Sequence, residues 1–291
     1  MRYFLLLSCL ALFSATAFHQ GPKKIKLPKA YVYIPSGTYA AGGKTVSVQG
    51  FYMQAWEVSN LEYNEFLFDL KREGRTEEYE KARVRPEGWA TAAVYAGAMA
   101  EKYHQHPAFE NYPAVNITRE AALLYCQWLT KKLLVFNPEA RFGVRLPSEV
   151  EWAYAAQAGH AGFPYPHGYS LQDAKGQFLY NFRHIGDESI HSNPETGQIE
   201  VRPSALVPAG PAAPVGLGPA PSKSNAPNDF GLYNMSGNVA EMITGEPLRT
   251  KGGCFNSTGY DIRIDAPDTF AGEAGASPYV GFRPVVTVVG K

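Results

Sequence analysis

A single thiol lies near the end of the chain, within the segment KGGCFNSTGY at residues 251–260. Cys254 could serve as a nucleophile, but a reactive thiolate needs a nearby cation or helix terminus and a base within reach. The surrounding sequence offers the cations Arg249, Lys251 and Arg263, but no histidine. Free cysteine in proteins behaves chiefly as a small buried hydrophobe. The residues therefore favour a packing role for Cys254, with a reactive thiol as the open alternative.

The histidines do not have the spacing of a transition-metal site. His104 and His106 lie in an aromatic segment, and His184 and His191 are scattered over another. No pair stands one helical turn apart, as histidine ligands on a helix usually do. We therefore do not expect histidine-bound iron or zinc.

The first residues read MRYFLLLSCLALFSATAFHQ and resemble a secretory signal. Arg2 precedes an apolar run that ends in Ala15-Thr16-Ala17, the small-residue pattern of a cleavage site. We predict a signal peptide over 1–17 and an exported chain located in the periplasm, in the cell envelope or outside the cell. Because residues 6–9 (LLSC) also resemble a lipoprotein box, a lipid anchor at Cys9 is the alternative.

Charge and hydropathy limit the classes of partner. The 27 basic and 27 acidic side chains balance, so nothing indicates nucleic acid as the main partner. No segment after the leader is long and apolar enough to cross a bilayer, and we expect no transmembrane span once the signal is removed.

Three helices have clear start signals. Ser59 with Glu62 and Ser148 with Glu151 form capping boxes before apolar periodic runs. A third helix is predicted to begin at Thr118 and to carry Cys126 in or beside its apolar stripe.

Short strands, glycine turns and long irregular stretches accompany these helices, a pattern typical of the α+β class. We predict a basic linker over 18–29 and one domain over 30–291, with loop insertions near 72–112 and 160–227. Residues 203–227 carry seven prolines, and loops of such length are usually functional or surface excursions.

Some questions stay open at this stage. Cys126 and Cys254 could pair as a disulfide. Asn116, Asn234 and Asn256 lie in Asn-x-Ser/Thr triplets that matter only in a eukaryotic host. The oligomeric state is equally open.

Seven segments, in order, resemble the formylglycine-generating, or sulfatase-modifying factor, family: VYIPSGTY, EVSNLEYNEF, YPAVNITREAALLYCQWLTKKL, RLPSEVEWAYAAQAG, NDFGLYNMSGNVAEM, KGGCF and GFRPV. The resemblance covers nearly the whole mature chain. It implies a small twisted sheet with flanking helices and long ordered loops, similar to a C-type lectin domain. Two departures indicate a diverged member: Ala240 and Met242 replace two tryptophans of the family pattern.

In family members that oxidise cysteine to formylglycine, two cysteines hold copper(I), a metal that soft thiolates suit. Ser257 occupies the position of the first copper cysteine in this chain. Near the second position stand Tyr260, Asp261 and Ile262, and none is a thiol. The resemblance therefore implies that copper is not bound in the usual way.

The resemblance also implies a calcium site, because the segment YNMSGNVAE matches one in which the family binds this ion. Residue by residue, the ligands fall on the side chains of Asn234 and Glu241 and on the carbonyls of Gly237 and Val239. Such oxygen ligands suit a hard cation. A second family site would use Asn181 and Phe182, but its later aspartate has no clear counterpart here.

We interpret the chain as an exported, non-catalytic binding or structural module, similar to gliding-motility and secretion-associated lipoproteins of this family. Its long loops would contact a protein or envelope partner, since recognition often resides on loops held by a rigid frame. Two alternatives stay open. One is an oxidase of the formylglycine-generating type, with Cys254 reactive and Tyr260 and Arg263 lining its cleft; the other is a lectin-like protein that recognises a glycan through calcium.

Overall fold

The computed structural model describes residues 25–288, except 42, 93–95, 185–189, 193–198, 202–217 and 274. The predicted signal peptide, Cys9, most of the basic linker and much of the proline-rich stretch lie outside the described residues.

Eleven short strands are found in the described part of the chain, and they form four small sheets. The strands are β1 (Tyr31–Ile34), β2 (Gly37–Ala41), β3 (Lys44–Val48), β4 (Phe51–Gln54), β5 (Phe142–Arg145), β6 (Ile190–Ser192), β7 (Ile199–Val201), β8 (Ala240–Ile243), β9 (Arg249–Lys251), β10 (Val280–Phe282) and β11 (Val285–Val288).

The four-stranded sheet has the order β1-β4-β11-β5, and the pairs are antiparallel. A three-stranded sheet has the order β10-β8-β9, with β10 parallel and β9 antiparallel to β8. The pairs β2-β3 and β6-β7 are hairpins. Strands from the end of the chain thus lie at the centre of one sheet and beside β8 in another.

Five α-helices accompany the strands: α1 (Asn60–Arg72), α2 (Thr76–Ala82), α3 (Ala96–Lys102), α4 (Arg119–Phe136) and α5 (Glu149–Gln157). Both predicted capping boxes are formed, at Ser59 and at Ser148, and Thr118 caps α4 as predicted. The predicted end of α5 is confirmed by Ala158 and Gly159, both with positive φ. A left-handed residue after the last turn is a common way to end a helix.

The insertion near 72–112 is more regular than its sequence indicates. It contains α2, α3 and two short 3₁₀ helices at Pro86–Thr91 and Pro107–Phe109. Trp89 and Tyr103 are buried there against Val115 and Val239, so this excursion packs onto the domain.

The main core lies between α1, α4 and the sheets, and Cys126 is buried in it. A second buried cluster surrounds Trp152 of α5 and includes Met53 and Val285 of the four-stranded sheet. These mixed helices and small sheets confirm the α+β class. Among the described residues, no helix combines the length and apolarity that a bilayer span requires.

Candidate functional site

Arg283 lies fully buried at the junction of the two larger sheets. Its guanidinium donates to both carboxylate oxygens of Glu241, with the shortest distance 2.6 Å from Nη2 to Oε1. It also donates to the backbone carbonyls of Gln54, Ala55 and Tyr233. A buried arginine is tolerated when its donors are satisfied in this way.

Glu241 is held from a second side by α5. The indole Nε1 of Trp152 donates to Glu241 Oε2 at 2.8 Å, and both side chains are buried. The carboxylate proposed from sequence as a calcium ligand is therefore fully engaged by protein donors.

Glu57, which immediately precedes Val58 and the cap of α1, is the second buried carboxylate of this region. Asn238 Nδ2 donates to its Oε1 at 2.9 Å, and Asn234 Nδ2 lies 3.3 Å from its Oε2. We call Glu57, Asn234, Asn238, Glu241 and Arg283 the buried polar centre. All five are more than nine-tenths buried.

The charges of the buried polar centre do not balance among its own members. Arg283 already forms an ion pair with Glu241, so a second ionised carboxylate leaves an excess negative charge. Burial raises the pKa of Glu57 to about 8, against the opposing effect of Arg283. Without a compensating cation, Glu57 thus favours its protonated form at neutral pH.

Oxygens converge around the Asn234 side chain. Its Nδ2 lies 3.1 Å from the carbonyl oxygen of Ser222 and 3.4 Å from that of Pro221, in addition to the Glu57 contact. The hydroxyls of Ser222 and Ser236 are buried without a hydrogen-bond partner. The Oδ1 of Asn234 accepts from Ser224 Oγ at 3.1 Å. Carboxylate, carbonyl and hydroxyl oxygens are ligand types that suit a hard cation such as Ca²⁺.

The other predicted calcium ligands lie in different parts of the structure. Gly237 has φ +75° and is packed against the carbonyl oxygen of Asn181. Asn181 Nδ2 donates to Asn238 Oδ1 at 3.1 Å, which connects it to the buried polar centre. Val239 packs near Trp89, and Phe182 is buried in a separate aromatic cluster.

The Cys254 segment forms a tight turn that runs beside this centre. The backbone N–H of Phe255 donates to the carbonyl of Asn238, and that of Gly237 donates to Gly252. Within the turn, Cys254 N donates to Ser257 Oγ at 3.0 Å, and Cys254 Sγ lies 3.5 Å from the same hydroxyl.

The thiol of Cys254 is 1% exposed. Burial raises its pKa to about 11, although Ser257 and the N–H of Asn256 favour the thiolate. A thiol with so high a pKa is protonated at neutral pH and is a poor nucleophile or metal ligand. Ser257 is also buried, and Ile262 is fully so.

Cys126 and Cys254 are both free thiols. Cys126 belongs to the main core around α4 and also has a raised pKa, about 12, because of burial. The disulfide that the sequence left open is not formed.

Tyr260 and Arg263, the predicted cleft residues, lie together at the surface. The Arg263 guanidinium is 4.0 Å from the centre of the Tyr260 ring, and Tyr260 is 58% exposed. The stack is a cation–π contact, and Arg263 also forms an ion pair with Asp265.

An open groove of about 370 Å³ lies in the loops nearby, and aromatic rings form much of its lining. Tyr165, one of its walls, donates its hydroxyl to the carbonyl of Gly259 in the Cys254 turn. The other lining residues are Tyr169, Ser170, Leu171, Gln172, Phe178 and His184.

Sequence reasoning missed Glu57. Its partners Asn234 and Asn238 are separated from it by 177 and 181 residues, so no local spacing could reveal the pairing. The available signal was an acidic residue placed just before a capped helix and within a segment that carries the family resemblance.

Comparison with known proteins agrees with the fold and the sequence motifs. The family model of the sulfatase-modifying factor enzyme 1-like domain matches residues 16–288. The mouse formylglycine-generating enzyme is 27% identical over an alignment of 273 positions, which covers 79% of this chain and 62% of that protein. This chain thus spans about three fifths of the length of that relative.

A second mouse relative, the inactive Cα-formylglycine-generating enzyme 2, is 25% identical over 81% of this chain and 72% of its own length. The structure of PvdO from Pseudomonas aeruginosa superposes with a TM-score of 0.54 at 19% identity, covering 88% of this chain and 93% of PvdO. That likeness supports the shared fold. Because the family model matches residues 16–288, which are nearly the whole chain, this chain belongs to the sulfatase-modifying factor family.

Proposed function

We propose that this protein is an exported, non-catalytic binding module of the sulfatase-modifying factor family. The observation that carries the proposal is the state of Cys254: the thiol is buried, has a raised pKa and is bonded to Ser257. Serine stands where the oxidising members place their first copper thiolate, so two-thiolate copper chemistry has no ligand pair here.

The surroundings of Cys254 also support a structural role. A thiol nucleophile requires a base within hydrogen-bond reach, and the hydrogen-bond neighbours of this sulfur are a serine hydroxyl and a backbone N–H. The similarity to a mouse relative described as inactive fits this proposal.

Binding would take place on the loops. The open aromatic groove and the Tyr260–Arg263 stack present rings and a cation at the surface, and aromatic and arginine side chains are enriched where proteins contact partners. We propose a protein of the cell envelope as the partner, with the insertions near 72–112 and 160–227 forming the contacting surface.

We also propose that calcium stabilises the loop scaffold through the buried polar centre. Asn234 and the carbonyls of Gly237 and Val239 remain the expected ligands. Glu57 joins them as the acidic member, because Glu241 is already paired with Arg283. Calcium bound there would compensate the excess negative charge of the two buried carboxylates.

The test is a turnover assay read by mass spectrometry. The purified chain would be incubated with a peptide that carries the sulfatase cysteine motif, with and without copper(I). We expect no conversion of thiol to aldehyde.

The alternative function, an oxidase of the formylglycine-generating type, predicts the opposite result. Aldehyde formation that disappears in Cys254→Ala but persists in the matched variant Cys126→Ala would establish Cys254 as the reactive group. It would also overturn the non-catalytic proposal.

A further inference from the structure

The C-terminal end of α4 carries two large apolar side chains that the domain leaves uncovered. Val135 is 75% exposed and Phe136 is 62% exposed. Single exposed apolar residues are ordinary, but these two adjoin an apolar groove of about 470 Å³ that Phe136 helps to line. Its other apolar walls are Leu27, Tyr31, Tyr125, Trp128 and Leu133. Exposed apolar side chains and an apolar groove thus lie together at the C-terminal end of α4, a combination that marks interaction sites.

The N-terminal segment of the described chain is fixed at the same place. Ile25 is buried in the main core, and Lys26 is joined to Asn137, the residue that caps α4. Lys26 N donates to Asn137 Oδ1 at 2.7 Å, and Asn137 Nδ2 donates back to Lys26 O at 2.9 Å. The N-terminal segment of the described chain therefore enters the domain beside Phe136.

Cations surround this apolar surface. Lys26 and Lys29 are exposed in the N-terminal segment. Lys131, one helical turn before Val135, and Arg141, just after the end of α4, are exposed as well. Acidic residues are fewer: Glu139 is exposed between Lys131 and Arg141, and Glu62 and Glu65 line the groove, where Glu65 forms an ion pair with Lys132. Basic residues around exposed apolar side chains are the pattern of a surface that rests on anionic lipid.

We propose that this pole, formed by the end of α4 and residues 26–29, docks on an anionic phospholipid bilayer. Val135 and Phe136 enter the interface between headgroups and acyl chains, while Lys26, Lys29, Lys131 and Arg141 contact lipid phosphates. The proposal rests on the exported location but not on whether the chain is catalytic.

The test measures which pole faces the lipid. Tryptophan is introduced by Phe136→Trp, or by the control Tyr169→Trp at a side chain that is 73% exposed in the aromatic groove. Both chains begin at residue 18, the predicted mature start, so that neither the apolar run nor Cys9 is present. Each is mixed with vesicles of equal parts phosphatidylcholine and phosphatidylglycerol with brominated acyl chains, which quench nearby tryptophan.

We expect Phe136→Trp to lose more emission than Tyr169→Trp, and high salt or pure phosphatidylcholine to reduce that loss because the attraction is electrostatic. Because the two chains differ only in the position of the added tryptophan, the difference in quenching reports orientation on the vesicle. Equal quenching, or stronger quenching at position 169, would overturn the proposal.

A second measurement separates the cations from the apolar pair. Replacing Lys26 and Lys29 by Gln should lower co-sedimentation with the same vesicles more than replacing Lys44 and Lys175, which are also exposed. An equal loss in the two variants would show that general charge, not this pole, holds the protein on the lipid.

Discussion

The protonation state of Cys254 depends on its immediate neighbours and not on its place in a sequence motif. The Ser257 hydroxyl contacts both its backbone N–H and its sulfur, and the turn excludes water. Desolvation penalises the thiolate more than these donors favour it, so the raised pKa follows from burial.

We therefore expect Cys254 to resist alkylation in the folded protein. At pH 8 the thiol is protonated, because this pH lies well below its pKa of about 11, and it is shielded from reagent. Iodoacetamide should leave Cys126 and Cys254 unmodified in the native chain and modify both after unfolding, as read by peptide mass spectrometry. Rapid native labelling of Cys254, with Cys126 unlabelled as the internal control, would contradict this account.

The sequence indicates the role of Cys254, but it does not reveal the contacts of Glu241. The packing role of Cys254 was inferred from the absence of a local base, which is a property of nearby residues. The engagement of Glu241 by Arg283 and Trp152 depends on residues 42 and 89 positions away. Such contacts become visible only when the sheets and α5 are assembled.

At the scale of elements, the starts of the helices were predictable from sequence, but the structure within the insertions was not. The boxes at Ser59 and Ser148 satisfy free N–H groups locally, so a few adjacent residues determine them. The helix α2 has no side-chain hydrogen bond at its N-cap, Arg75. Tertiary packing around Trp89 and Tyr103 supports that region instead.

The loop before β8 depends on a glycine for two separate reasons. Gly237 has φ +75°, and a Cβ there would collide with the carbonyl oxygen of Asn181. Gly176 has a similar φ of +76° in a loop where a Cβ meets nothing within 4 Å. Alanine substitutions at the two positions therefore separate the cost of backbone strain from the cost of a steric collision.

We expect Gly176→Ala to cost about 1–2 kcal/mol of unfolding free energy, the usual penalty for the left-handed region. Gly237→Ala should cost more, since the buried backbone of Asn181 must also move. Urea denaturation of the two variants and the parent measures both values. Equal losses would show that the close approach to Asn181 is not rigid.

For the whole molecule, we expect the buried polar centre to couple stability to pH, and the proposed calcium site would add a coupling to that ion. Without metal, Glu57 has a higher pKa in the folded chain, about 8, than its usual value of 4.5. The folded state then binds more protons, so stability should fall as pH rises from about 4.5 to about 8. Calcium requires the ionised carboxylate, and its gain in Tm should be larger above pH 8 than at pH 6.

Two variants identify the acidic ligand in the same thermal-melting experiment. Glu57→Gln should flatten this pH dependence and abolish the calcium response. Glu241→Gln should lower stability with or without calcium, by about 3–5 kcal/mol if Arg283 is left unpaired. A calcium response lost only in Glu241→Gln would restore Glu241 as the ligand and exclude Glu57.

The position of β11 between β4 and β5 has a consequence for biogenesis. The four-stranded sheet cannot close until residues 285–288 reach their partners, and Arg283 must arrive from the same segment to neutralise Glu241. A chain emerging from the ribosome therefore lacks both the central strand and a buried counter-charge until synthesis of this segment is complete. Such late closure delays completion of the four-stranded sheet and of the Glu241–Arg283 ion pair until residues 283–288 are available.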